Sequence, residues 1–238
     1  MSSLWKRVTA GHVHFVTTGY LRLMEPIAGV LIRIGISANA LTTIGTLFTV
    51  VGGVAFAFGH MRLGGWIIAV TAIADALDGI VARRTGQVTL FGAFYDSTLD
   101  RIADGALLAG IAYFYASDPV HGSLPMLGIS LAGIIGTFMV SYARARAEAL
   151  GINAKVGVMQ RAERVILLCA PQALFGLALD GWVLSIVVVI LTVTAWHTAI
   201  LRINYVRLST LVAAPPPLWV MTEKPLPVEG KSSRRAKS

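Results

Sequence analysis

The chain has 238 residues, 55% of them hydrophobic and only 13% charged, about half the charged share of a soluble domain. That balance excludes an ordinary water-soluble enzyme and points to a polytopic membrane protein. A net charge of +8 does not make it a nucleic-acid binder, because the basic residues fall where membrane topology puts them. The single cysteine, Cys169, excludes a disulfide framework and reads as a small buried hydrophobe.

Residues 1–36 mix Trp5, Lys6, Arg7, Arg22 and Arg33 with apolar residues at helical spacing, interrupted at Pro26. They predict an interfacial amphipathic helix with no cleavable signal. His12 and His14 have neither acidic nor cysteine company there and are assigned no chemistry. Ser37 and Asn39 open a first apolar span over 40–58, about long enough for a ~30 Å hydrocarbon core. Its Gly45, Thr49 and Gly53 form a small-residue face suited to close helix contact. A turn at His60, Met61 and Arg62 leads to a second span over 63–83. A third follows over 94–116 after a linker so short that the two are expected to be antiparallel neighbours. The fourth span, 126–150, carries Gly128, Ala132 and Gly136 at small-residue spacing; the fifth runs over 161–179 and the sixth over 182–203, with Arg202 and Arg207 marking its exit. From Ala213 a proline-rich and then basic tail has the composition of a disordered segment near anionic lipid.

The expectation is an all-α polytopic membrane protein. An interfacial helix over 1–36 precedes a six-helix transmembrane domain over 37–207, and a basic tail over 208–238 follows. On one side of the six spans Arg62 is the only Lys or Arg in the three turns. The positive-inside rule therefore puts both termini in the cytoplasm, with the protein in the cell membrane.

The stretch between the second and third spans carries the chemistry. Asp75 and Asp78 are three apart, Asp96 and Asp100 four apart, so each pair projects from one helical face. Four gathered carboxylates repel one another unless a cation neutralises them, and an all-oxygen set suits a hard divalent ion such as magnesium. Gly79 and Gly92 admit close approach of backbone or ligand, and Arg83 offers a fixed positive fork for phosphate. Arg101 and Asp104 follow within a turn of Asp100 and read either as supporting partners of the site acids or, the favoured reading, as a paired polar seam. The parts suit phosphoryl chemistry. A cation transporter is the rival from another class, but it would spread its acids through the membrane depth, whereas these four cluster at one face.

Written out, the pattern is D-x2-D-G-x2-A-R-x8-G-x3-D-x3-D, from Asp75 through Ala82 and Arg83 to Asp100. With each fixed residue at roughly 5–10% frequency, chance supplies it on the order of once in 10⁸ start points or fewer, which excludes coincidence. It resembles the CDP-alcohol phosphotransferase signature at every fixed position. The resemblance implies transfer of a phosphatidyl or similar group from a CDP-linked donor such as CDP-diacylglycerol to an alcohol, releasing CMP. In such a site Asp75, Asp78 and Asp96 hold Mg2+, or Mn2+, and Asp100 takes the proton of the attacking hydroxyl with a metal contact of its own. The resemblance further implies a nucleotide pocket lined by Gly79, Ala82, Arg83 and Gly92, bordered by Asn39 and Thr42, and a homodimer.

The segment SYARARAEALGINAKVGVMQRAERVILL, residues 141–168, resembles the corresponding part of bacterial phosphatidylinositol phosphate synthases. That implies an inositol phosphate acceptor gripped by Arg144 and Arg161, with Lys155 and Arg164 as neighbouring candidates. One departure stands out: such synthases tend to carry an arginine just before the His-Thr of the last span, whereas Thr194-Ala195-Trp196-His197-Thr198 has none. Arg202 is a substitute, and glycerol phosphate is the alternative acceptor, giving phosphatidylglycerophosphate synthesis.

Overall fold

A computed structural model describes residues 24–86, 89–159 and 161–212. Within these there are helices and no strands. Helix α1 covers residues 24–33, α2 Ala38–Ala57, α3 Met61–Thr85, α4 Leu90–Ser117, α5 Leu124–Ala149, α6 Arg161–Phe175 and α7 Trp182–Val212. Three helices start on hydroxyl caps: Ser37 accepts from the Ala40 N–H at 3.3 Å, Thr89 from Gly92 at 2.9 Å and Ser123 from Met126 at 3.4 Å. Gly86, left-handed at φ 67°, ends α3.

Of the expected N-terminal helix, the part that is described is packed against the bundle rather than lying free. Met24 and Ala28 join Ala38 and Leu41 of α2 and Leu77, Ile80 and Val81 of α3 in one apolar cluster. Pro26 lies inside this helix. Residues 1–23, with His12 and His14, and the tail from 213 lie outside the described residues.

Helices α2 to α7 close a ring, each packing on two others in the order α2, α3, α6, α7, α5, α4 and back to α2. Its centre is filled by Phe56, Met61, Ile68, Ile111, Phe114, Leu168, Leu184 and Val188, with Cys169 among them. Outward faces are just as apolar: Phe48, Trp66, Val70, Ile135, Val193 and Ile200 are all exposed. Such a surface fits lipid rather than water. Among the described residues four helices are long and apolar enough by length and composition to cross a membrane, namely α2, α3, α5 and α7 over Trp182–Leu211.

Three boundaries differ from the sequence reading: the third span starts a turn earlier, at Leu90 on the Thr89 cap. The fifth span stops at Phe175, since Gly176 turns left-handed at φ 57°. At 15 residues, or about 22 Å, α6 is shorter than a ~30 Å hydrocarbon core. The last helix instead runs on to Val212, because arginine is a good helix former and no glycine or proline intervenes before Pro215.

Asp118, just past α4, accepts from the backbone N–H of His121 at 2.7 Å and of Val120 at 2.9 Å, and lies 3.1 Å from His121 Nδ1. These donors, the His121 N–H foremost, hold its carboxyl below the usual carboxylate range. A depressed native pKa adds stability above about pH 4, the unfolded value, and that stability is lost as pH falls through the native one. Asp118→Asn is therefore expected to flatten the acid limb of a melting-temperature profile between about pH 5 and 3 while changing little at pH 7.

Candidate active site

The site is built at the end of the ring where α3 finishes and α4, α6 and α2 begin. Among the described residues α3 and α4 do not pack on each other; both pack on α2. The short linker therefore brings its two Asp pairs together across a gap and not across a packed hairpin. The thin face of α2 explains this, with Gly45, Thr49, Gly52 and Gly53 all buried, so that both neighbours seat on it closely. Gly53 and Gly110 are the tightest point: a Cβ on Gly110 would stand 2.0 Å from the Gly53 carbonyl oxygen.

Across the gap the carboxylates sense one another: Asp78 lies within electrostatic reach of Asp96 and Asp75, and Asp96 of Asp75. Thr42 of α2 donates to Asp78 Oδ2 at 2.8 Å. Beside them, Gly79 leaves room for the Arg83 guanidinium, whose Nη1 would stand 3.2 Å from a Cβ there. Gly92 does the same for Thr89 and Asn39, at 3.1 and 3.5 Å. Arg83 is exposed, while Ala82 packs against the α1 cluster.

From the first turn of α6, Arg161 reaches into the acids. Its Nη1 is 2.9 Å from Asp75 Oδ2 on α3 and 3.0 Å from Asp100 Oδ1 on α4, and its Nε is 3.5 Å from Asp104 Oδ1. Arg164, one turn on, places Nη2 3.7 Å from Asp104 Oδ2. Arg101 does not pair with Asp104, as the seam reading expected. It turns to α5, donating to the Ser141 hydroxyl, and keeps Nη2 3.5 Å from Asp100. The reason is that Arg161 and Arg164 already supply Asp104 with positive charge. Nothing local in the sequence announced Asp104 as the anchor of two α6 arginines; its spacing of four from Asp100, one helical face, was the available signal.

Among the described residues no three His, Cys, Asp or Glu side chains stand close enough to hold a metal ion between them. Asp75 and Asp100 are engaged by Arg161. The donor chemistry nevertheless fits a hard divalent cation, being all carboxylate. The formal charge fits as well: among the described residues the five carboxylates Asp75, Asp78, Asp96, Asp100 and Asp104 stand with three guanidinium groups, Arg101, Arg161 and Arg164, in ion-pair contact. That leaves two negative charges over.

Around the acids runs a basic rim. Arg144 pairs with Glu148 at 2.9 Å, with both side chains half-exposed, and Lys155 is exposed. Arg202 lies within electrostatic reach of Arg144, Arg164 and Arg101, yet its guanidinium is spent on backbone. Nε donates to the Val156 carbonyl at 2.9 Å, and Nη1 donates to that of Val140. Thr198 joins it, accepting from the Val158 N–H at 3.3 Å. Arg202 and Thr198 thus brace the α5–α6 connector over the site. Arg202→Gln is expected to cost about 1–3 kcal/mol and to speed proteolysis within 151–159, read by limited digestion. Ala195, in the stretch where the sequence carries no arginine, is buried against Val140 and Ala199.

The sequence model of the family described as CDP-alcohol phosphatidyltransferase matches residues 35–213. Archaetidylinositol phosphate synthase of Methanothermobacter thermautotrophicus is 37% identical over 185 residues, covering 78% of this chain and 89% of the relative. Among solved structures, Mycobacterium tuberculosis phosphatidylinositol phosphate synthase with CDP-DAG bound superposes at TM-score 0.71 and 31% identity, covering 78% of this chain and 94% of that one. The same protein in complex with manganese and citrate also gives 0.71 at 31% identity, over 77% and 88%.

Proposed function

Because this chain belongs to the CDP-alcohol phosphatidyltransferase family, we propose that it moves a phosphatidyl group from CDP-diacylglycerol to inositol phosphate and releases CMP, in a magnesium-dependent reaction at the cytoplasmic face of the cell membrane. The observation that carries this reading is the position of the two α6 arginines. Arg161 and Arg164 sit within 4 Å of the signature carboxylates or of Asp104 beside them, so a phosphorylated acceptor bound by arginine would present its hydroxyl to the acids. The names of the relatives, an archaetidylinositol phosphate synthase and a phosphatidylinositol phosphate synthase, support the same acceptor.

Asp75, Asp78, Asp96 and Asp100 would hold a divalent cation, which would neutralise the diphosphate and stabilise charge on departing CMP. Manganese in the relative's structure supports such an ion. The chain's own residues do the rest. Arg83 meets a donor phosphate, with Gly79 and Gly92 keeping the approach open for the nucleotide. Thr42 orients Asp78 through its 2.8 Å hydrogen bond. Asp100 accepts the proton of the attacking hydroxyl. Arg161, Arg164, Arg144 and Lys155 hold the acceptor phosphate, while Arg202 acts through the connector it braces. We assign the working unit as a homodimer, as the family resemblance implies.

The test is CMP release by purified protein given CDP-diacylglycerol and magnesium, with inositol phosphate, glycerol phosphate, free inositol and serine offered separately. Turnover with inositol phosphate alone is the expected result. Turnover with glycerol phosphate alone would reassign the acceptor and make the apolar burial of Ala195 the telling difference. No CMP with any acceptor would sink the transferase assignment for this donor.

A further inference from the structure

Arg161 is assigned to the acceptor phosphate, yet in the structure its guanidinium is committed elsewhere. Nη1 touches Asp75 and Asp100, carboxylates from two different helices, at 2.9 and 3.0 Å. Those are two of the four acids that the metal chemistry needs. A guanidinium seated on those two oxygens offsets the negative charge that a divalent cation would use and repels the cation. Loading of one weakens the hold of the other.

The other edge of the side chain shows where it goes. Arg161 Nε is buried and not hydrogen-bonded, and so is Asp104 Oδ2. The two side chains approach only to 3.5 Å, through Asp104 Oδ1. Asp104 is 8% exposed, fixed in the core end of α4 and already 3.7 Å from Arg164. Buried groups left without partners are costly, and a small shift of Arg161 away from Asp75 toward Asp104 would satisfy them. Side-chain contacts of 3.5 Å and 3.7 Å are ones a modest rotation tightens into charge-assisted hydrogen bonds of about 2.7–2.9 Å.

Resting on the acceptor reading above, we propose that Arg161 serves two anions in turn, anchored throughout by Asp104. Without a divalent cation its Nη1 neutralises Asp75 and Asp100; when those carboxylates take up the cation, the same Nη1 turns to the acceptor phosphate. Asp104 is then a positioning residue, acting through Arg161 and Arg164. Cation and acceptor are coupled in the order cation first, and by linkage each raises the affinity of the other.

The experiment is calorimetric titration of the full chain in detergent, with Mn2+ as one probe and inositol phosphate as the other, on the unmodified protein, Arg161→Gln, Arg161→Lys and Asp104→Asn. In the unmodified protein Mn2+ is expected to raise inositol phosphate affinity about tenfold, an ordinary size for such coupling. Arg161→Gln should bind Mn2+ several-fold more tightly, its internal competitor gone, and should lose the coupling. Arg161→Lys, which keeps the charge, should restore part of it. Asp104→Asn should weaken Mn2+ binding and raise KM for inositol phosphate more than it lowers kcat. Unchanged or weaker Mn2+ binding in both Arg161 variants that still melt like the unmodified protein would overturn the proposal, as would coupling that survives in Arg161→Gln. Failure of the acceptor reading shows separately, as no CMP from inositol phosphate in the unmodified protein while Mn2+ still binds Arg161→Gln more tightly; that result overturns the acceptor half of the proposal.

Discussion

Asp100→Asn is expected to lower CMP release by about a thousandfold, in the middle of the range for a lost general base, while the melting temperature moves little. The side chain is 18% exposed and lies between Arg161 at 3.0 Å and Arg101 at 3.5 Å. Asn keeps its shape and one accepting oxygen. It removes the charge that would draw a proton from the acceptor hydroxyl and one of the ligands a divalent ion would use. Arg161 retains Asp75 and Asp104 as partners, so the ion-pair network loses an arm and stays connected. Asp180→Asn, at the opposite end of the bundle and largely exposed, is the comparison and should retain full turnover. If the two variants turned over alike, Asp100 would not be the base.

Gly110→Leu is expected to leave no folded protein, and Gly110→Ala to cost about 3 kcal/mol, the upper part of the usual range for overpacking. The added Cβ would lie 2.0 Å from the Gly53 carbonyl oxygen and 2.8 Å from its carbon. Both are backbone, so no rotamer change relieves the contact; α2 and α4 must separate. A Cβ on Gly53 would likewise stand 2.7 Å from the Ala106 carbonyl oxygen, so the seam is equally tight one turn along and the separation would spread. Because α2 carries Thr42 against Asp78 and α4 carries Asp96 and Asp100, the two halves of the site would move apart with the helices. Gly128→Ala is the matching control, its Cβ meeting nothing within 4 Å. It should be neutral or stabilising by up to about 1 kcal/mol, as Ala is the better helix former. Thermal melting in detergent reads both, and a Gly110→Ala protein as stable as Gly128→Ala would refute the packing argument.

What the chain's residues declare without any structure is local. Apolar runs of membrane length, small residues every fourth position on α2, hydroxyl caps at Ser37 and a four-Asp pattern at one end of two adjacent runs all depend on spacing along a single helix. Helix geometry is the same wherever the helix ends up. The family resemblance is of that kind too, since Asp75, Asp78, Gly79, Arg83, Gly92, Asp96 and Asp100 sit at intervals set by covalent connectivity.

Tertiary structure alone decided the remainder. That α2 stands between α3 and α4 follows from Gly53 meeting Gly110, a fit between backbones 57 positions apart in sequence. The position of Arg161 between Asp75 and Asp100, 86 residues from the first, follows from α6 packing on α3, where Gly65 admits the backbone of Ala173. The bracing contacts of Arg202 follow from where the connector carbonyls of Val156 and Val140 come to rest. Charge patterning shows that arginines gather at one membrane face, but which carboxylate or carbonyl each one reaches is set by non-local steric fit, and a residue's neighbours along the chain carry no record of that.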